Sequence, residues 1–377
     1  MKKAFSLLKT VLVCLGLFSG LLRAELMPKE VNTYELRYAR QLPALQAEAY
    51  ASGAFQNDVE EALSDQFPLS QYLKKAYNLS CSAYLQRLID PIAARDEELV
   101  VRYNGYRLYR GSLLYSVLDF EEVRGLYDVL IDSYNRAVEA IPETAFYFYF
   151  IETDAVCDLI EGGRQPVYEY LQTHLRVPDD HVARLELRDF RDFQENFQRF
   201  DHHWNARGSY RGYREILQLL GVEEEPLLPA EERNLGEYTG QKAASARLPS
   251  YTEPAEVWFF DYPDLGRSYG NEALYRSGAL TAFSYGEFYG SDEGELIFDT
   301  GRPERGNLLV IGDSYDNAIL KLLASHFGKT CSIDLRYYLT GEDGFDIAAY
   351  IRRHVIGQVL VVGSTFLYRD PTFAVRC

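Results

Sequence analysis

The feature that most constrains the fold is a short apolar run ending in a serine turn, Asn-Leu-Leu-Val-Ile-Gly-Asp-Ser-Tyr at residues 307–315. Its first five residues predict a buried strand, Gly312 a sharp turn, and residues 316–327 a helix. Such a turn exposes a serine hydroxyl beside a helix N-terminus, whose backbone N–H groups face developing negative charge. Ser314 is therefore a candidate nucleophile. The alternative is structural, because Asp313 or Ser314 could equally cap the helix.

Helices and strands that alternate around this turn predict an α/β fold. A helix at residues 120–140 leads into a continuously apolar strand at 144–151, which is typical of a sheet buried on both faces. The βαβαβ order over residues 308–362 predicts a parallel sheet with right-handed crossovers. Two segments are predicted to be irregular. They are the polar, acid-rich loop at 223–246 and the Gly- and Tyr-dense loops and hairpins at 262–305, which should line one wall of the site.

The first 24 residues are predicted to lie outside the fold. Three lysines flank the start of an apolar stretch at residues 10–22, and Leu-Arg-Ala at 22–24 resembles an imperfect cleavage site. The stretch is short for a membrane span. It indicates a secretory signal or, alternatively, an uncleaved N-terminal anchor, and in either case an exported protein. Residues 25–377 are predicted to form a single domain, with a helical N-terminal part at roughly 25–90.

The chain is strongly acidic. Its formal net charge is −17, and it becomes −21 once the four positive charges of residues 1–24 are removed. A surface of this sign argues against nucleic acid or anionic lipid as a partner. It is compatible with a neutral or cationic polymer.

Four cysteines follow the N-terminal segment: Cys81, Cys157, Cys331 and Cys377. Their spacing fits no metal-binding motif, and nothing else in the sequence calls for a cofactor. Disulfides among them are allowed in an exported protein. Cys331 lies in an apolar run and is expected to be a buried thiol.

A serine nucleophile needs a base, and two of the six histidines are adjacent in Asp-His-His-Trp-Asn at residues 201–205. In an extended or turn segment, residues i and i+2 point to one side, so the Asp201 carboxylate can reach the ring of His203. A carboxylate at the far ring nitrogen fixes the tautomer that accepts the serine proton and stabilises the resulting imidazolium. His202 is expected to point away, and Trp204 to pack beneath the loop.

Other interpretations of this string stay open. Asp201, His202 and His203 could ligate a metal, but adjacent histidines rarely chelate one ion and the sequence shows no further ligand cluster, so no metal is predicted. The string could also be an exposed polar loop. His326 and His354 stand on predicted helices and are expected at the surface.

The string at 201–205, with Gly-Ser-Tyr-Arg-Gly-Tyr at 208–213, resembles the signature of the DHHW-motif protein family. That family is similar to the SGNH-hydrolase-like domains of the alginate O-acetylation proteins. Residues 53–68, ending in Leu-Ser-Asp-Gln-Phe-Pro, the serine block at 312–318 and Ile-Asp-Leu-Arg-Tyr-Tyr at 333–338 resemble it as well. The resemblance covers most of the chain after the first 24 residues. It implies an SGNH-hydrolase-like parallel sheet flanked by helices, with a helical N-terminal extension.

The resemblance also implies a catalytic triad. In the alginate relatives an Asp-x-His-Trp string supplies aspartate and histidine, and a Gly-Asp-Ser block supplies serine. Carried onto this sequence, the triad is Asp201, His203 and Ser314, which agrees with the i, i+2 argument. The order is permuted relative to ordinary SGNH hydrolases, whose aspartate and histidine lie at the C-terminus.

One block of the ordinary SGNH enzymes is missing here, the Gly-x-Asn-Asp that supplies an oxyanion-hole asparagine. The oxyanion hole would use the Ser314 amide, in the turn that Gly312 opens, with a second donor from Asn205 or the turn at residues 363–364. Arg336 follows a strand end, where it could form a structural ion pair or hold a substrate carboxylate.

Two functions are consistent with these observations. The first is an exported, serine-dependent O-acetyltransferase or acetylesterase that acts on a cell-surface or extracellular polysaccharide. By resemblance, acetyl would come from a membrane-bound O-acyltransferase partner. The second is a weakly active or inactive glycan-binding or scaffold protein of a surface-polysaccharide acetylation system. The missing oxyanion asparagine and the aromatic residues of 262–305 favour this second function.

Overall fold

The structure is a computed structural model that describes residues 18–20, 22–32, 37–67, 70–266, 285–290, 292–338 and 344–377. Most of the predicted signal or anchor, and the middle of the segment at 262–305, lie outside the described residues. Among the described helices, none is long and apolar enough to cross a membrane. The chain forms two compact units, Met1–Pro91 with Arg247–Tyr251, and Ile92–Ala246 with Thr252–Cys377.

The first unit is mainly helical, as predicted for the N-terminal extension. It contains the antiparallel strands β1 (Val31–Asn32) and β2 (Arg37–Tyr38) and the helices α1 (Ala47–Ser52), α2 (Ala54–Gln66) and α3 (Ser70–Ala93), the last of which runs two residues into the second unit. Gly53 separates α1 from α2 with a φ of +82°, in the left-handed region that glycine enters without a steric penalty.

The first half of the second unit begins with a three-stranded meander and continues into the start of the main sheet. Its elements are β3 (Val100–Tyr103), β4 (Tyr106–Tyr109), β5 (Ser112–Tyr115), α4 (Phe120–Ala140), β6 (Ala145–Ile151), α5 (Val167–His174), β7 (Val182–Leu185), α6 (Phe190–Asn196) and α7 (Ala206–Leu219). A 3₁₀ turn, Asp179–His181, precedes β7.

The second half completes the main sheet. Its strands and helices are β8 (Pro229–Tyr238), α8 (Gln241–Ser245), β9 (Glu253–Phe260), α9 (Tyr285–Tyr289), β10 (Glu295–Asp299), β11 (Asn307–Gly312), α10 (Leu320–Ala324), β12 (Lys329–Ile333), α11 (Ile347–His354), β13 (Gln358–Ser364) and α12 (Thr365–Tyr368). Three 3₁₀ turns lie at Pro303–Arg305, Asp316–Ala318 and Pro371–Phe373.

The main sheet has six strands in the order β10-β12-β11-β13-β6-β7. All neighbours are parallel except the edge strand β10, which runs antiparallel to β12. Parallel sheets need both faces covered, and the central strands are accordingly buried and apolar apart from the polar residues at their ends, Asn307, Gln358 and Ser364. The predicted α/β fold, a parallel sheet flanked by helices, is confirmed.

This topology places the serine turn at a position suited to ligand binding. β11 lies between β12 and β13, so the chain leaves β11 on one side and returns to its other side through α11. Open α/β sheets bind ligands outside the carboxyl ends of their strands, at the point where successive connections diverge. Ser314 follows the carboxyl end of β11 by two residues.

Three local predictions are wrong. The polar segment 223–246 is not a loop, because β8 pairs antiparallel with β9 along most of its length, through backbone hydrogen bonds that do not depend on apolar side chains. The helix predicted at 316–327 is a 3₁₀ turn, Asp316–Ala318, followed by the short α10. His326 is buried rather than exposed, and its Nε2 lies 2.6 Å from the Tyr213 hydroxyl.

Candidate active site

The serine turn is built by a glycine and a carboxylate. A Cβ at Gly312 would lie 2.5 Å from Asp316 Oδ2, so a larger residue there would force the buried Asp316 side chain to shift. The Asp313 side chain accepts a hydrogen bond from the Tyr315 amide at 3.1 Å. Asp313 thus closes the serine turn, but neither it nor Ser314 is a helix cap, because the 3₁₀ turn that follows has Tyr315 at its N-cap and no side-chain cap. The Ser314 hydroxyl is directed elsewhere.

The segment that carries the histidines is fixed from both ends. The Gln198 amide donates to the His203 carbonyl at 3.0 Å, and Phe197 forms a β-bridge with Trp204. Trp204 is fully buried beneath the loop, as predicted, and its indole Nε1 donates to the Tyr315 carbonyl at 3.1 Å. This hydrogen bond joins the histidine segment to the serine turn, 111 residues later in the chain.

Asp201, His203 and Ser314 form one continuous chain of hydrogen bonds. His203 Nδ1 lies 2.7 Å from Asp201 Oδ1, and His203 Nε2 lies 2.7 Å from Ser314 Oγ. A carboxylate only accepts hydrogen bonds, so Nδ1 carries the ring proton. Nε2 is then left with a lone pair toward the serine hydroxyl. This is the arrangement in which histidine can take a proton from serine.

The Asp201 carboxylate is held by more than the histidine ring. Its Oδ1 also accepts the His203 amide at 3.2 Å, and its Oδ2 accepts the Gln241 amide, at the start of α8, at 2.8 Å. Burial by itself would raise the pKa of Asp201. The charge and hydrogen bond of His203 outweigh burial and lower this pKa well below its ordinary value. Asp201 is therefore ionised throughout the neutral range.

An aromatic ring covers the histidine. Tyr285, the first residue of α9, stacks on His203 with ring centroids 3.7 Å apart and ring planes within 5° of parallel. This contact fixes the plane of the imidazole ring. The expectation that the segment 262–305 lines the site holds at this residue. The sequence did not single out Tyr285, because it is one of 30 tyrosines.

Comparison with solved structures places this fold among known proteins. Bacillus cereus PatB1 with a sulfonyl adduct matches with a TM-score of 0.52 and 17% sequence identity, over 74% of this chain and 99% of that chain. A DHHW family protein from Eubacterium siraeum matches with a TM-score of 0.53 and 16% identity, over 74% and 97%. The fold is similar to that of a DHHW family protein. The predicted structural resemblance is thereby confirmed.

One further structure matches with a lower TM-score, and two other comparisons found no match. The O-acetyltransferase domain of Pseudomonas putida AlgJ matches with a TM-score of 0.40 and 11% identity, over 72% of this chain and 92% of that chain. No family model and no curated protein matches the sequence. At these identities the likeness concerns the fold alone.

The first histidine of the DHHW string does not point away from the site as predicted. The His202 ring centroid lies 3.8 Å from that of His203, and its Nδ1 lies 3.3 Å from Asp201 Oδ1 without a hydrogen-bond partner among the described residues. Burial, together with repulsion from His203, lowers the pKa of His202 to about 3. His202 is therefore neutral at physiological pH and adds no charge beside the base.

The metal interpretation of the DHHW string can be weighed against this geometry. Asp201, His202 and His203 each offer a ligand atom, all within 4.8 Å of one another. However, both ring nitrogens of His203 are engaged, one by Asp201 and the other by Ser314. A metal would have to displace one of these hydrogen bonds, so the arrangement favours proton transfer over metal ligation.

Asn205 has a structural position that leaves no side-chain donor for an oxyanion. Its Oδ1 caps α7 by accepting the Arg207 and Gly208 amides, both at 3.0 Å. Its Nδ2 donates to the carbonyls of Glu195 and Phe197 at 3.1 and 3.3 Å. Both hydrogens of the amide are used in these two bonds.

The second oxyanion candidate, the turn at 363–364, is also a helix cap. The Ser364 hydroxyl accepts the Phe366 amide at 3.3 Å and starts α12. Arg336 forms an ion pair, with Nη2 at 2.6 Å from Asp334 and 3.0 Å from Asp292. With both acids so close, the structural interpretation of Arg336 is the better supported one.

Asp313 makes the stability of the folded protein depend on pH. Burial raises its pKa from the ordinary 3.8 to about 6. The folded protein thus holds this proton more tightly than the unfolded chain does. The stabilisation is complete below the ordinary pKa and is lost as the pH rises through about 6. Asp313→Asn keeps the acceptor for the Tyr315 amide but removes the buried charge. It should therefore raise the free energy of unfolding by up to about 3 kcal/mol above pH 6, and not below pH 4.

Urea denaturation of wild type and variant between pH 4 and pH 8 measures this difference. The matched control is Asp264→Asn, because Asp264 is exposed and accepts the Gly266 amide in the same i, i+2 geometry, at 2.9 Å. That control removes no buried charge, so it should lack the gain in stability above pH 6 that is expected of Asp313→Asn. An Asp313→Asn advantage independent of pH would contradict the prediction.

Proposed function

We propose that this chain is a serine-dependent O-acetyltransferase or acetylesterase that acts on a cell-surface or extracellular polysaccharide. The observation that carries the proposal is the unbroken relay from Asp201 through His203 to Ser314, with both hydrogen bonds at 2.7 Å. Ser314 follows the carboxyl end of a central parallel strand by two residues and is partly exposed, which supports access by a substrate.

The first half of the reaction acylates the serine. Ser314 Oγ attacks the carbonyl carbon of an acetyl ester while its proton passes to His203 Nε2, and the ester carbonyl becomes an oxyanion. Asp201 stabilises the imidazolium so formed. When the tetrahedral intermediate collapses, the bond to the leaving oxygen breaks and that oxygen takes the proton from His203. The acetyl group is then an ester of Ser314.

The second half transfers the acetyl group. A hydroxyl of the acceptor gives its proton to His203 and attacks the acetyl carbonyl, and collapse returns the proton to Ser314. If the acceptor is a sugar hydroxyl, the enzyme is a transferase. If it is water, the enzyme is an esterase. The resemblance to the alginate O-acetylation proteins favours the sugar, with a membrane-bound O-acyltransferase as the source of acetyl groups.

The cellular setting is part of the same proposal. The basic and apolar start of the chain supports export, either by a cleaved signal or with an N-terminal anchor. An exported enzyme meets polysaccharide at the cell surface or outside the cell. The acidic net charge supports a partner other than nucleic acid.

A second function, a glycan-binding or scaffold protein with a weak site, is favoured by one observation. Asn205 caps α7, and both hydrogens of its side-chain amide are used, so it supplies no oxyanion donor. An oxyanion hole with fewer donors stabilises the transition state less, since one such donor is worth about 10²–10³ in rate. Glycan binding without turnover on any acetylated glycan would favour this second function.

Covalent labelling tests the proposed nucleophile directly. The purified protein is treated with a fluorophosphonate or a sulfonyl fluoride, and the modified peptide is located by mass spectrometry. We expect one adduct, on Ser314, since among the described serines it is the one whose hydroxyl lies within hydrogen-bond distance of a histidine that a carboxylate orients. A sulfonyl adduct is also present in the PatB1 structure that matches this fold.

Two variants sharpen the labelling test. Ser314→Ala should abolish labelling. Ser209→Ala removes a hydroxyl on α7 that donates only to the Ala206 carbonyl, and it should label as wild type does. Equal labelling of wild type and Ser314→Ala would refute the nucleophile. Labelling combined with no acetyl transfer to any glycan would instead support the binding or scaffold function.

A further inference from the structure

A cleft with an unusual charge lies along α7, outside the Asp201–His203–Ser314 relay. It measures about 400 Å³, and Arg207, Tyr210, Arg211, Arg214, Gln218 and Trp258 line it. The three arginines follow one another at i, i+4 and i+7, so they share one face of the helix. Three cations on one helix face are unexpected in a chain whose net charge is −17.

Two of the three arginines have no partner among the residues that the structure describes. Arg211 is paired with Glu215, Nε to Oε1, at 2.8 Å and lies 3.6 Å from Asp192. Arg207 and Arg214 are exposed, and across the described ranges neither guanidinium takes part in a hydrogen bond or an ion pair. An unpaired guanidinium presents a planar set of donors that matches a carboxylate or a phosphate.

The one acidic residue that lines the cleft, Glu215, does not form an ion pair with Arg207 or Arg214. One of its carboxylate oxygens accepts Arg211 and the other accepts the Tyr149 hydroxyl. Both oxygens are therefore occupied by Arg211 and the buried Tyr149, and neither accepts a hydrogen bond from Arg207 or Arg214.

Two aromatic rings connect the cleft to the serine turn. Tyr210 and Trp258 are partly buried, with ring centroids 5.6 Å apart, and they also line a second cavity. That second cavity is also lined by Tyr289, Asn317 and Lys321. Asn317 lies in the 3₁₀ turn three residues after Ser314. The two cavities share Tyr210 and Trp258, so a groove extends from the exposed arginines, past two aromatic rings, to the 3₁₀ turn that directly follows the serine turn.

We infer that this groove, the arginine groove, binds an acidic glycan, with Arg207 and Arg214 on its carboxylate or phosphate groups and Trp258 against a sugar ring. The role of this binding rests on the proposed function. The bound glycan would present one of its neighbouring sugar residues to Ser314. The overall negative charge of the protein repels such a polymer, and the two unpaired arginines supply the local attraction that overcomes it. Binding of this kind weakens as salt is added.

The experiment measures binding to the full-length protein through the fluorescence of Trp258; Trp204, the other tryptophan, is buried. The probes are oligogalacturonate, poly(glycerol phosphate) and a neutral cello-oligosaccharide of similar length. We expect one or both acidic probes to bind and the neutral one to bind at least tenfold more weakly. The stronger acidic probe shows whether the charge is carboxylate or phosphate. Equal binding of the neutral probe, or binding of none, would overturn the inference.

A pair of double variants locates the binding. Arg207→Gln/Arg214→Gln should weaken acidic-probe binding at least tenfold and remove most of its salt dependence. Arg124→Gln/Arg191→Gln changes the net charge equally at two exposed helix positions outside the groove and should bind as wild type does. If both double variants weaken binding equally, the groove is not the site.

Serine labelling separates this inference from the proposed function. Removing the two arginines should leave fluorophosphonate labelling of Ser314 unchanged, because neither arginine contacts the relay. If wild type binds acidic glycan in the groove but Ser314 does not label, the proposed enzyme activity is refuted and glycan binding by the arginine groove is supported. If Ser314 labels but both double variants bind the probes like wild type, the groove fails and the activity stands.

Discussion

Asp201→Asn is expected to slow acyl transfer roughly 10⁴-fold while leaving the protein folded. Asp201 Oδ2 accepts the fixed amide of Gln241, and Oδ1 accepts the ring proton of His203. An asparagine oxygen can serve only one of these two positions. If it keeps the Gln241 amide, its NH₂ group faces His203 Nδ1 and selects the tautomer with the proton on Nε2. That tautomer cannot accept the Ser314 proton.

The measurement is the rate of acetyl release from an activated ester, alongside thermal unfolding to verify folding. Gln241→Ala is the matched control. Only the backbone amide of Gln241 contacts Asp201, and its side chain is exposed, so this variant should stay within a few-fold of wild type. An Asp201→Asn enzyme within tenfold of wild type would show that the relay does not govern the rate.

The relay was predictable because its parts are local in sequence. The spacing of Asp201 and His203 determines which histidine the carboxylate reaches, and the strand–turn pattern before Ser314 indicates an exposed hydroxyl. The apolar strands likewise reveal a buried parallel sheet. What joins these parts is long-range: Trp204 donates to the Tyr315 carbonyl, 111 residues away, and no periodicity encodes that contact.

Two of the wrong predictions, the loop at 223–246 and the exposed His326, share a cause of the same kind. β8 is polar and largely exposed, so its strand character comes from backbone pairing with β9 rather than from an apolar pattern. His326 follows a short helix and looks like a surface residue until Tyr213 and Glu224 are placed beside its ring. In both cases a distant partner decides the environment. A prediction based on composition and helix position does not take such distant partners into account.

Lys242 is the clearest example of a partner hidden from the sequence. It lies in a stretch rich in polar residues, yet it is fully buried, with Nζ 2.9 Å from each carboxylate oxygen of Asp154. Asp154 also accepts the Tyr115 amide. Lys242 directly follows Gln241 in α8, so this buried ion pair anchors the segment whose amide holds Asp201.

Lys242→Met is expected to lower the free energy of unfolding by about 3–5 kcal/mol. Methionine is close to lysine in length and can fill the space against Phe193 and Tyr115, so the loss comes mainly from leaving the Asp154 carboxylate buried without a cation. Chemical denaturation followed by tryptophan fluorescence measures it. Both tryptophans of the sequence, Trp204 and Trp258, lie in the second compact unit, so the signal reports that unit.

A second substitution, which removes the unpaired Asp154 carboxylate, distinguishes a loss of stability caused by charge from one caused by packing. Lys242→Met/Asp154→Asn keeps an acceptor for the Tyr115 amide and leaves no buried ion, so it should recover most of the lost stability. Lys329→Met, a partly exposed lysine 4.0 Å from Asp299, is the control and should change stability by less than about 1 kcal/mol. If the double variant is as unstable as Lys242→Met, the loss comes from packing rather than charge. If it is stable and still labels at Ser314, the ion pair stabilises the fold without setting the position of Asp201.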